Sequence, residues 1–118
     1  MSQTQPKSQE AVQPLRILLS EPTLREHRAA IDLAVGGTPW LPVLAPATDD
    51  QKGVDADIAF VSRDVTGLST KHQILPPTQR FYSAMLEAPA LRWVHVHSAG
   101  ADRAVFGQLR QRGVTVTT

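Results

Sequence analysis

The loop His97-Ser98-Ala99-Gly100-Ala101-Asp102 has the residue types in this chain that best suit ligand binding. Its four central residues are small, so their backbone N–H groups can approach a ligand closely. A helical pattern follows, and the positive end of that helix would point at the same place. The loop therefore suits an anion such as a carboxylate, with Asp102 capping the helix. A tight strand-to-helix turn explains Gly100 equally well.

Other kinds of site have less support in the sequence. His95 and His97 fall on one face of a predicted strand with no third ligand nearby, so a metal site is not predicted. The chain has no cysteine, which excludes a thiolate nucleophile and Cys-ligated zinc. Its seven glycines do not fall into dinucleotide-binding or P-loop spacing, and a G-x-S-x-G elbow is absent.

Strand patterns alternate with helical patterns over residues 15–118, and residues 1–14 have the composition of a disordered tail. The first helix is capped by Ser20 or Glu21, the next begins at Thr78 after an irregular stretch, and Val105, Phe106 and Leu109 form the buried stripe of the last. The predicted strands are Leu15–Ser20, Trp40–Ala45, Asp57–Ser62, Leu91–His97 and Val114–Thr118.

This alternation predicts an α/β three-layer sandwich with a flavodoxin-like parallel sheet in the order 2-1-3-4-5. Pro42 cannot donate a hydrogen bond to a neighbouring strand, so the second strand belongs at the sheet edge, and the apolar third strand belongs at the centre. The C-terminal helix of that fold is missing from the chain, which predicts an open apolar surface and the front part of a longer protein.

Ligands of open parallel sheets bind beyond the carboxyl ends of the strands, near the point where the strand order reverses. Those ends carry Ser20-Glu21, then Ser62-Arg63-Asp64, and finally the loop that begins at His97. Arg63 either steadies a bound anion from its strand end or is a solvated surface arginine.

Length and charge set further limits. The 118 residues suffice for one domain, and twelve basic against eleven acidic residues give a net charge of +1. Neither nucleic acid nor a membrane surface is a predicted partner, since both select clustered positive charge. With no signal peptide and no apolar run of spanning length, we expect a cytoplasmic protein.

Residues 91–118 add a family resemblance. Leu91-Arg-Trp-Val94 leads into the small-residue loop Ser98–Asp102, a short helix, and the strand Gly113-Val-Thr-Val-Thr117. This segment resembles the amino-terminal, substrate-binding domain of the D-isomer-specific 2-hydroxyacid dehydrogenases. It covers about a quarter of the chain, and the remainder agrees in element order and strand character.

The resemblance implies a two-domain NAD(P)-dependent oxidoreductase of which residues 15–118 bind the substrate, a small 2-oxo or 2-hydroxy acid. Its carboxylate would lie on the backbone of Ala99 and Gly100, beside Ser98, with Ser62 and Arg63 lining the same cleft. NAD or NADP, and the catalytic groups, would belong to a domain absent from this chain, so no residue here is predicted to be catalytic. The chain alone is therefore expected to be inactive, and the full-length protein to be a candidate homodimer.

Two alternatives remain at this point. The first is a receiver-like interaction module that cannot be phosphorylated, because Ser62 stands where a phosphoacceptor aspartate is required and no lysine ends the fifth strand. The second is a degenerate stand-alone domain that binds no ligand.

Overall fold

The computed structural model describes residues 13–67, 69, 72–97 and 103–118. In these ranges five strands and four helices alternate along the chain. They are β1 (Leu15–Leu19), α1 (Glu21–Ala34), β2 (Trp40–Leu44), β3 (Ile58–Val61), α2 (Arg63–Thr66), α3 (Pro76–Glu87), β4 (Trp93–Val96), α4 (Ala104–Gln111) and β5 (Thr115–Thr117).

The five strands form one parallel sheet in the order β2-β1-β3-β4-β5, which confirms the predicted α/β flavodoxin-like class. The central strand is β3, and β2, with Pro42 paired to Ile17, lies at one edge as predicted. A proline in the middle of an edge strand leaves the β1–β2 hydrogen bonds intact where its missing N–H faces outward.

Ser20 connects β1 to α1. It is the N-cap of α1, and its Oγ accepts a hydrogen bond from the Thr23 backbone N–H at 3.2 Å. Pro22 occupies the first turn, where a missing N–H costs nothing. Gly36 and Gly37 follow the helix with φ of +58° and +87°, a conformation that side-chain-bearing residues rarely adopt, and this ends α1 where the sequence predicts.

The main core lies on the α3 and α4 side of the sheet. Ala59 and Val61 of β3 are in register with Val94 and Val96 of β4, and all four are fully buried. The helices contribute large buried side chains to the same cluster, namely Phe81, Tyr82, Met85, Phe106 and Leu109. The predicted stripe of the last helix is thereby confirmed.

The opposite face of the sheet is less completely covered. Phe60 of β3 is in register with His95 of β4, and the two rings are stacked with centroids 5.9 Å apart. Trp93, two residues earlier on the same face, is 41% exposed and donates its Nε1–H to Thr117 Oγ1 at 2.8 Å. Of the described helices α1 is the one on this face, so the sheet surface over β4 and β5 is open.

The amino ends of β1 and β3 are joined by a reciprocal contact. The Arg16 N–H donates to Asp57 Oδ2 at 2.9 Å, and the Asp57 N–H donates to the Arg16 carbonyl at 2.9 Å. The Arg16 guanidinium also contacts the Asp55 and Asp57 carboxylates at 3.3 and 3.4 Å. Burial acts to raise the pKa of Asp57, but these contacts outweigh it and hold the pKa below its ordinary value.

Two local predictions are wrong. The stretch predicted to be irregular contains the one-turn helix α2, which is too short to show a hydrophobic period. The N-cap of α3 is Leu75 rather than Thr78, since Pro76 and Pro77 take the first helical positions. Thr78 is instead buried, and its hydroxyl donates to the Val65 carbonyl at 2.6 Å.

Among the described residues, none of the helices has the length and apolar composition needed to cross a membrane.

Candidate functional site at the carboxyl edge of the sheet

The strand order reverses between β1 and β3. From β1 the chain moves to β2 on one side, whereas β3, β4 and β5 follow one another on the other side. The residues that come directly after the carboxyl ends of β1, β3 and β4 are Ser20, Ser62 and His97. This edge is where an open parallel sheet binds its ligands.

Four polar side chains form a hydrogen-bonded cluster across this reversal, which we call the Asp64 cluster: Ser20, Thr23, Ser62 and Asp64. Asp64 Oδ1 accepts from Ser62 Oγ at 2.6 Å and from Thr23 Oγ1 at 3.1 Å. Ser20 Oγ donates to Thr23 Oγ1 at 3.0 Å and lies 3.5 Å from Ser62 Oγ. The cluster therefore links the start of α1 to the segment after β3.

The Asp64 cluster favours a charged carboxylate. Burial acts to raise the pKa of Asp64, but hydrogen bonding with the hydroxyls of Ser20, Ser62 and Thr23 lowers it further than burial raises it. The net pKa lies below the ordinary aspartate value, so Asp64 is ionised at neutral pH. Its Oδ1 accepts from two neighbouring hydroxyls, which indicates a role in fixing this turn.

Arg63 is the first residue of α2 and is exposed at the same edge. Within the described part of the chain, its guanidinium has no hydrogen-bond or ion-pair partner. An exposed cation without an internal partner can bind an anion without first breaking another contact. This position is compatible with both interpretations of Arg63 made from the sequence, namely a residue that steadies a bound anion and a solvated surface arginine.

His97 follows β4 and is held against α2. Its backbone N–H donates to the Val61 carbonyl at 3.0 Å, and its Nε2 lies 3.1 Å from Thr66 Oγ1. Burial lowers the pKa of His97, and the positive charges of Arg63 and Arg103 lower it further, against a smaller opposing effect of Asp64. The imidazole is accordingly neutral at neutral pH, beside two permanent cations.

Arg103 lies at the N-cap position of α4, one residue later than the predicted cap Asp102, which is outside the described residues. The side chain of Arg103 makes no capping hydrogen bond. Its guanidinium instead donates to Tyr82 Oη at 2.7 Å and to the Ser69 carbonyl at 3.0 Å. These contacts fix the entry into α4 against α3.

A groove of about 440 Å³ runs between α1 and the Phe60 face of the sheet. Its end at the carboxyl edge of the sheet is lined by Ser62, Arg63 and Asp64. Its α1 side is lined by Thr23 and His27. The groove thus brings both described members of the predicted site to one cavity. Ser62 is only 7% exposed and its hydroxyl is bound to Asp64, so Arg63 is the more accessible of the two.

The remaining predicted site residues, Ser98, Ala99 and Gly100, lie outside the described residues. The carboxylate clamp therefore stays a prediction. Sequence reasoning gave no role to Asp64 or Thr23, which are 41 residues apart in the chain. The available signal was the polar run Ser62-Arg63-Asp64 at a strand end, but nothing in one sequence pairs that run with the first turn of α1.

Comparisons with family models, with curated proteins and with solved structures found no match for this chain.

Proposed function

We propose that this chain is the substrate-binding part of an NAD(P)-dependent oxidoreductase that acts on the CH–OH group of a D-2-hydroxy acid. The observation that carries the proposal is the position of Arg63, exposed at the strand-order reversal and lining the α1 groove beside Ser62. A cation at this edge suits the carboxylate shared by 2-hydroxy and 2-oxo acids. The resemblance over residues 91–118 supplies the reaction class.

The chemistry of hydride transfer determines which groups the proposal assigns to this chain and which to a second domain. The reaction requires a nicotinamide held against the substrate carbon and an acid that protonates the carbonyl oxygen. The glycine spacing of a dinucleotide site is absent from the sequence, and the resemblance implies that the proton-transferring group lies in the cofactor domain. Under the proposal these groups belong to a cofactor domain, and this chain orients the acid for them.

The binding half of the proposal is tested by calorimetric titration of the chain with pyruvate and 2-oxobutanoate. We expect Arg63→Gln to weaken binding about tenfold, since a charge-assisted hydrogen bond is lost. Arg110→Gln, at an exposed arginine of α4, is the matched control and should bind like the unaltered chain. Equal affinity of the Arg63 and Arg110 variants would contradict the assigned role of Arg63.

The backbone clamp has a separate test. Gly100→Val adds a branched side chain to the loop and should abolish binding of the same acids if the backbone N–H groups hold the carboxylate. The chain by itself should show no oxidation of NADH or NADPH with any 2-oxo acid. Turnover by the purified chain would refute the assignment of the catalytic groups to another domain.

A further inference from the structure

A second cavity of about 360 Å³ opens at the carboxyl edge on the α3 side of the sheet. Asp64 lines both this cavity and the α1 groove, so the two are adjacent at this residue. Most of the lining is apolar and comes from the end of β2 and the first half of α3, including Leu44, Pro46, Pro77 and Phe81. An apolar cavity with a few charged groups is the usual form of a small-molecule site.

The cation of this cavity is Arg80 on α3, whose side chain is only 23% exposed. Its Nη1 donates to Asp49 Oδ1 at 3.2 Å, and Asp49 is 88% exposed. Its Nε is buried, and no acceptor for it exists among the described residues. The guanidinium is thus largely removed from water, while Asp49, its charged partner among the described residues, is solvated.

The burial of Arg80 and its pairing with a solvated side chain favour the binding of an anion from solution. A solvated ion pair contributes little, because water competes for both partners. A ligand carboxylate seated in the cavity would be shielded from water together with Arg80, and the attraction between them would be stronger there. Asp49 itself does not line this cavity, and because nearly all of its side chain faces solvent it screens the Arg80 charge only weakly.

Negative charge lines the same cavity at Glu21 and Asp64, which follow β1 and β3. Glu21 is already paired with Arg25 on the exposed surface of α1, whereas Asp64 has hydroxyl partners and no cationic one among the described residues. A ligand that carried only a carboxylate would leave the Asp64 charge uncompensated. A ligand with both a carboxylate and an ammonium group would complement both sides.

We propose that this cavity binds a free aliphatic amino acid, with its carboxylate on Arg80, its ammonium group toward Asp64, and its side chain among the apolar residues. The site is distinct from the 2-oxo acid site at Arg63. Its occupant differs from that substrate by a cationic group at the carbon next to the carboxylate.

Calorimetric titration of the whole chain with leucine and with two analogues that each lack one of its charged groups tests the charge requirement. We expect leucine to bind, and 4-methylpentanoate and 3-methylbutylamine to bind at least about tenfold more weakly, since each lacks one charge-assisted contact. Affinity of 4-methylpentanoate equal to that of leucine would overturn the role of Asp64. Failure of leucine to bind at millimolar concentration would overturn the site.

Substitutions then assign the contacts. Arg80→Gln should weaken leucine about tenfold or more, and Asp49→Asn should tighten it, because the competing carboxylate is gone. Arg110→Gln removes the same charge from an exposed arginine of α4 and is the control for the change in net charge. Circular dichroism verifies the fold of each variant. Leucine affinity unchanged in Arg80→Gln would overturn the proposal. Arg63→Gln should leave leucine binding unchanged, so this site and the 2-oxo acid site stand or fail separately.

Discussion

The Ser62 hydroxyl donates to Asp64 Oδ1 at 2.6 Å, and the same oxygen accepts from Thr23 Oγ1 at 3.1 Å. One carboxylate oxygen thereby joins the segment after β3 to the first turn of α1. The strand order of the sheet reverses between these two segments, so the contact lies at the edge where a ligand is expected to bind.

The shared hydrogen bond between Ser62 and Asp64 predicts non-additive mutations. We expect Ser62→Ala to lower the free energy of unfolding by about 1–2 kcal/mol, because the Asp64 carboxylate loses a hydrogen-bond donor. Asp64→Asn should also destabilise, and the double variant should cost less than the sum of the two. Urea unfolding of the three variants at pH 7 measures this. Strictly additive effects would show that the two side chains act independently.

The charges around His97 predict the direction of its titration. Its midpoint should lie below the ordinary histidine value of 6.5, owing to burial and to the positive charges of Arg63 and Arg103. Arg63→Gln removes one of those charges and should raise the midpoint. NMR titration of the His97 ring protons in the two proteins makes the comparison, with Arg110→Gln as the charge-matched control. A midpoint that does not move in Arg63→Gln would place Arg63 too far from His97 for the proposed site.

The contact of Asp57 with Arg16 predicts an acid-dependent stability. The folded pKa of Asp57 is below its ordinary value of 3.8, so its ionised form stabilises the fold above that pH. The unaltered chain should therefore be more stable than Asp57→Asn at pH 6. The difference should shrink as the pH falls below about 4, toward the folded pKa. Thermal unfolding from pH 6 to pH 2 tests this, and a constant difference would contradict it.

The different burial of two leucines predicts different losses of stability when each is replaced by alanine. Leu109 is fully buried against the core, whereas Leu33 on α1 is 83% exposed. Leu109→Ala should cost about 2–5 kcal/mol through lost burial and a cavity. Leu33→Ala should change the free energy of unfolding by less than about 0.5 kcal/mol. Chemical denaturation of both variants gives the values, and a large loss in Leu33→Ala would indicate that the α1 surface is covered in solution.

Much of this architecture follows from local patterns. The Ser20 cap, the glycine stop of α1 and the edge position of Pro42 each depend on neighbouring residues, and so each is readable in one sequence. Right-handed crossovers and the edge position of the proline-bearing strand then favour the observed order of the sheet. The buried stripe of α4 is likewise set by its own 3.6-residue period.

The features that the sequence does not predict depend on distant partners or compete with a second local signal. Thr78 has the residue type of a cap, but Pro76 and Pro77 already favour helical φ and place the start of α3 earlier. Thr23, one of the partners of Asp64, is 41 residues away in the chain. Arg103 takes the cap position of α4 because its guanidinium is held by Tyr82 and Ser69, contacts that no local spacing encodes.

Pro42 has a further consequence for association. An edge strand with a full row of outward N–H and C=O groups is a template on which another strand can be added. On β2 that row is interrupted in the middle, and at the other edge β5 is only three residues long. Within the described residues, neither border of the sheet offers a long uninterrupted strand, which disfavours extension of the sheet by a strand of another chain.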